Sequence, residues 1–145
     1  MIKKDITYID YDGVTRTEPF YFNLNRAELL EMELAYPGGM ETFLKLIVDA
    51  KDQSTIIKLI KDILLRTQGE KTPDGRFLIK NADTRQRFEA SPAYEIMFMM
   101  LASDDEKASD FMNALIPEDL KEAVKKEVEA RKLEEAKKAS ALTGA

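Results

Sequence analysis

Neither cysteine nor histidine occurs in the 145 residues. Without cysteine there are no disulfides and no thiolate metal sites, a composition compatible with an intracellular setting. Without histidine there is no imidazole base, no Ser-His-Asp triad and no His-ligated zinc. Positive charge is in deficit: 22 Lys and Arg against 27 Asp and Glu give a net charge of −5. That balance argues against binding along a phosphate backbone. Lys3, Lys4 and Asp5 lead into alternating residues rather than an apolar run, so no signal peptide is expected. No membrane span is expected either, because the most apolar stretch is far shorter than the ~20 residues a bilayer requires.

The motifs that would carry chemistry are incomplete. Gly69-Glu70-Lys71-Thr72 lacks the G-x-x-x-x-G-K-[ST] spacing of a phosphate loop. Asp10-Tyr11-Asp12-Gly13 does not continue to the third ligand and distal Glu of a calcium loop. Asp104-Asp105-Glu106 reads as the acidic first turn of a helix, which the backbone dipole favours, rather than a magnesium site. No catalytic residue, cofactor or metal is assigned, and the chain reads as a non-enzyme.

What is present is helical pattern around one stretch, Ser91 to Ala102. Ser91 is a good N-cap and Pro92 suits the first turn. From there Tyr94, Ile96, Met97, Phe98, Met99, Met100 and Leu101 point in nearly every direction, with only Glu95 interrupting. A helix apolar all round is buried or covered. It is read as the centre of a mainly α domain, residues 92–102, with Phe98 inside.

Upstream, Ile6 to Leu24 reads as a β-hairpin: β-branched and aromatic residues flank Asp12-Gly13, a type I′ turn signal, and Pro19 marks an edge or bulge. A lone hairpin is marginal in water, so it must lie on the helical body or pair with another chain. Asn25 and Glu28 form a capping-box pair at the head of a helix to Tyr36, with apolar stripes Ala27/Leu30/Leu34 and Leu29/Met32/Tyr36. Pro37-Gly38-Gly39 stops it, and a second helix is expected at Met40 to Ala50. A third, capped by Ser54, runs from Thr55 to Gln68 with Gly69 as its stop. Arg76 to Ile79 is a short extended piece, and Asn81 caps a short helix ending near Phe88.

Ser103 and Glu106 read as another capping box, opening a helix with Ala108, Phe111, Met112 and Leu115 on one side. After Pro117 only Leu120, Ala123, Val124 and Val128 make a narrow stripe, and Leu133 falls off it. The expectation is one helical domain at 1–117, carrying the hairpin at 6–24. Residues 118–145 form a projecting, charged helical extension that frays at its end.

Several pieces in order resemble one known family. They are Phe22-Asn23-Leu24-Asn25-Arg26-Ala27-Glu28-Leu29, Tyr36-Pro37-Gly38-Gly39, and Gly69-Glu70-Lys71 with Asp74-Gly75-Arg76-Phe77 and Lys80. They continue through Phe88, Ser91-Pro92-Ala93-Tyr94, Phe98 and Leu101 to Phe111-Met112-Asn113-Ala114-Leu115-Ile116-Pro117. The chain in this respect resembles the tail assembly chaperones of long non-contractile-tailed bacteriophages. The resemblance implies a small, mostly helical protein in the cytoplasm of the infected host. It would coat the tape measure protein, keep it soluble while tail tube subunits polymerise, and leave before the virion is finished. The major tail protein and other copies of the chain are further partners it implies. So is a longer form made by ribosomal frameshifting.

Two other roles stay open: a permanent virion part such as a tail-completion or connector protein, and a small regulatory adaptor. Tyr8, Tyr11, Phe20, Tyr21 and Phe22 carry more aromatic surface than a thin hairpin can bury on one side. They are the candidate partner-binding residues, since strand edges and aromatic faces are what other chains complete. The competing reading is that Phe20, Phe22 and Leu24 anchor the hairpin while the tyrosines sit half-exposed.

Overall fold

The computed structural model describes residues 1–35, Gly39, Lys45 and residues 53–143. Apart from Lys45, the expected helix at Met40 to Ala50 lies outside the described residues, as do Tyr36, Pro37 and Gly38. The described chain is mainly α: six helices with an N-terminal antiparallel strand pair. The strands are β1 (Ile2–Ile9), β2 (Thr15–Phe22), β3 (Gln68–Lys71) and β4 (Leu78–Ile79). The helices are α1 (Arg26–Ala35), α2 (Gln53–Thr67), α3 (Ala82–Ala90), α4 (Pro92–Ser103), α5 (Asp105–Leu115) and α6 (Glu118–Thr143).

The hairpin is longer than its β-branched core. Ile2 pairs with Phe22 and Ile9 with Thr15, so the charged residues Lys3, Lys4 and Asp5 are strand. Hydrogen bonding of neighbouring strands, not side-chain propensity, holds them there. Ile6 and Phe22 on the inner face are buried, while Lys3, Asp5, Thr7 and Ile9 on the other face are exposed. The hairpin lies on the helical body and gains a third neighbour from its own chain: Tyr21 pairs with Gly69 and Phe22 with Gln68. β3 then pairs with β4, giving a four-stranded sheet in the order β1-β2-β3-β4.

Gly69 is therefore a strand residue and not a helix stop. A Cβ there would fall 2.7 Å from Leu78 Cγ and 3.0 Å from Lys80 Cγ, so glycine is needed for the close approach of β4. α2 is already helical at Gln53, which puts Ser54 inside it rather than at its cap. The α5 cap also shifts by one residue. Asp104, not Ser103, accepts from the Lys107 N–H at 3.1 Å, and the Ser103 hydroxyl donates back to the Met99 carbonyl at 2.6 Å. Two capping boxes form as read or more fully. Glu28 and Asn25 exchange bonds of 2.8 and 3.1 Å, and Asn81 and Thr84 exchange two of 2.9 Å.

α4 is central, packing against α2, α3, α5 and β1. Its buried line is Ala93, Met97 and Leu101, spaced by four residues, with Tyr94, Phe98 and Met100 half-buried. Ile96 and Met99 (55% exposed) join Glu95 at the surface, so the helix is not covered all round. Neighbours on four elements close most of its circumference but not the last side, and isolated apolar side chains at a surface are ordinary.

Phe88 on α3 is the hub of an aromatic cluster, its ring 5.6 Å from Phe20, 5.7 Å from Phe22 and 5.5 Å from Tyr94. Phe22 also meets Phe111 edge-on at 5.4 Å, tying the sheet to α5. A second tie is polar. Lys80 Nζ donates to the Asn23 carbonyl at 2.5 Å and to Glu28 at 2.7 and 2.9 Å, so the carboxylate that completes the α1 cap also holds the end of β4.

α6 docks on α1 through its first turns, where Leu120 is half-buried and Val124 and Val128 belong to the core. From Glu129 to Ala141 every residue is exposed. Deleting residues 132–145 is expected to move the melting temperature little, because that segment buries no apolar side chain from 132 to 141. A thermal melt of the truncated chain checks this, and a large drop would show a load-carrying contact beyond Arg131.

Candidate partner-binding surface

The five aromatic residues of the hairpin fall into different environments. Phe22 is 0% exposed and belongs to the core, so it presents no surface to a partner; it anchors, as does buried Leu24. Tyr11 is 87% exposed at the hairpin tip. Tyr8 and Phe20 face the body, and Tyr21 points to the opposite side of the sheet, where the Lys71 ammonium lies 4.8 Å from its ring centre.

The tip is built by Asp10. Gly13 N–H donates to the Asp10 carbonyl at 3.0 Å, Asp10 N–H to the Val14 carbonyl at 2.9 Å, and Gly13 has φ +82°. This is a three-residue loop with a left-handed glycine, not the two-residue type I′ turn that Asp12-Gly13 suggests. The difference comes from the Asp10 side chain, which accepts from Asp12 N–H and Val14 N–H at 2.9 Å each and stabilises the wider loop. The Arg16 guanidinium, 2.6 Å away, holds the Asp10 carboxyl below the usual carboxylate range, helped by the Val14 and Asp12 amides. The loop thus fixed presents Ile9 (64% exposed), Tyr11 and Val14 (50%) to solvent.

Tyr8 and Phe20 line a groove of about 420 Å³ with Glu18, Gln68, Arg87 and Phe88. It opens where β3 leaves β2 and α3 closes the far wall. The Tyr8 hydroxyl donates to Glu18, which, with burial, raises the tyrosine above its ordinary range. Glu70 takes a two-pronged bond from Arg87, at 2.9 and 2.6 Å, and is held low by it. Gln68 is 6% exposed, and its Oε1 has no hydrogen-bond partner among the described residues. Such an orphan acceptor is costly in a folded protein.

None of the groove residues outside the hairpin was legible as a site. Gln68 and Glu70 sit in a stretch with no β-former, and Arg87 reads as an ordinary helix-surface charge. Among the described residues no group of acidic side chains is placed to hold a metal ion. No helix among them is long and apolar enough to cross a membrane. The arrangement has an exposed apolar tip, a strand edge and an aromatic-walled groove, which suit binding to protein.

The sequence model of phage tail assembly chaperones matches residues 1–144 of the chain. No curated protein and no solved structure matches it.

Proposed function

The chain belongs to the phage tail assembly chaperone family, and from that premise we propose that it binds the tape measure protein and keeps it soluble during tail assembly. The observation that carries this reading is the full-length family match together with a rigid loop that holds Ile9, Tyr11 and Val14 in water. Apolar surface fixed in place on an acidic, highly charged chain suits temporary cover of an aggregation-prone partner. The work is binding and needs no catalysis, metal or cofactor. It takes place in the host cytoplasm and ends before the virion is complete. The major tail protein is a second partner in this scheme. Tyr8 and Phe20 contribute from the groove side of the sheet, Tyr21 from its opposite face and Tyr11 from the tip.

Co-expression tests the reading. The tape measure protein is expected to be insoluble alone, soluble with this chain, and less soluble with an Ile9→Thr, Tyr11→Ser variant that keeps its helical circular dichroism. Purified particles should lack the chain on mass spectrometry. Its stoichiometric presence there would instead favour a tail-completion or connector protein. A tape measure protein equally soluble without it would remove the chaperone role.

A further inference from the structure

Resting on that reading, the geometry points to the groove between β2, β3 and α3 as the seat of one extended segment of the partner, added as a strand to the open edge of β2. The hairpin register decides which edge is open. Because Asp10 and Val14 are a hydrogen-bonded pair, Tyr8/Arg16, Ile6/Glu18 and Lys4/Phe20 bond across β1 and β2, and the residues between them turn their main-chain groups outward. Tyr21 spends its outward groups on Gly69. Thr15 and Thr17 keep outward N–H and C=O groups, and Pro19 an outward C=O; β3 reaches none of them. Only a polypeptide backbone matches donors and acceptors at strand spacing.

The groove beside that edge selects the side chains. Phe20 and Phe88 form an aromatic wall for an apolar residue. Glu18 accepts the Tyr8 hydroxyl and stands in no ion pair among the described residues, so a lysine or arginine on the partner complements it. Gln68 lines the groove, but its Oε1 is shut off from solvent, so it takes no part in meeting the partner. The occupant is therefore an extended segment with an apolar residue beside a basic one. Glu70 and Arg87 already neutralise each other and form the rim.

The probes are overlapping short peptides of the tape measure protein and of the tail tube protein, applied to the full chain. Two variants separate the outcomes. Thr17→Pro deletes an outward N–H, as Pro19 already does naturally, and is expected to weaken binding by about tenfold or more. Glu18→Gln removes the exposed carboxylate charge that a basic partner residue complements, and is expected to leave the melting temperature nearly unchanged while weakening binding severalfold. Peptides with an apolar-basic pair should bind best and should slow hydrogen exchange at the Thr15 and Thr17 amides.

If tape measure segments bind both variants as well as the original and those amides exchange unchanged, the groove is not the site, although the chaperone reading stands. If only tail tube segments bind, with the same sensitivity to both variants, the groove stands and the partner is reassigned. Binding by neither set overturns the groove, and the co-expression result then decides the chaperone reading by itself. Should Thr17→Pro fail to fold, Glu18→Gln and the exchange measurement decide.

Discussion

Replacing Phe22 with alanine is expected to cost ~3–5 kcal/mol of folding stability, the usual range for deleting a buried aromatic ring. The ring is fully buried and meets Phe88 and Phe111 edge-on, so its removal leaves a cavity at the junction of sheet, α3 and α5. Three elements far apart in sequence would have to shift to fill it, and close-packed interiors collapse only in part. Phe98→Ala should cost clearly less, because Phe98 is half-buried beside Tyr94. Urea denaturation of the two variants checks the order. A near-neutral Phe22→Ala would mean that the hairpin is not anchored to the helices through this ring.

The second large effect is expected at Glu28, where alanine should destabilise by ~2–3 kcal/mol. One carboxylate accepts the Asn25 N–H at the head of α1 and the Lys80 ammonium from the end of β4. Losing it weakens a helix cap and leaves a half-buried cation with the Asn23 carbonyl as its one partner among the described residues. The exposed pair Glu127–Arg131, by contrast, contributes at most ~0.5 kcal/mol. A double-mutant cycle with Lys80→Met tests the link: the pair removed together should cost less than the sum of the single losses, by ~1 kcal/mol. Simple additivity would show that Glu28 acts as a cap alone.

Much of the helical layout is visible without the structure, for identifiable reasons. The α2 stripe of Ile56, Ile60, Ile63 and Leu64 repeats at helical spacing and is buried as a unit. Asn25 with Glu28 and Asn81 with Thr84 cap their helices through contacts three residues long. Where a projecting helix is expected from residue 118, Leu120, Val124 and Val128 instead pack on α1, and only the chain beyond them to Ala141 stays wet. Where local readings compete within a residue or two, sequence is less decisive. Ser103 and Asp104 are both competent caps, and the Asp10 side chain turns an apparent two-residue turn into a three-residue one.

The candidate surface was legible only in part. The hairpin carries more aromatic side chains than its inner face buries, yet pattern alone groups Tyr11 with Phe22. One is almost bare and the other has no exposure at all. Alternation separates Phe20 from Tyr21, but which face is covered depends on where the helices lie.

By itself, the sequence determined the quantities that depend on neighbours along the chain: helical periodicity, caps, the hairpin and the charge that keeps the end in water. Only the tertiary structure decided what depends on residues brought together from a distance. Gln68-Gly69-Glu70-Lys71 becomes a strand because the edge of β2 at Tyr21 and Phe22 accepts it, and because glycine lets Leu78 close over it. Phe22 is core because Phe88 and Phe111 converge on it. Lys80 finds Glu28 across 52 residues. Hydrogen bonds and packing between distant segments override weak local propensity, and no window along the chain contains both partners.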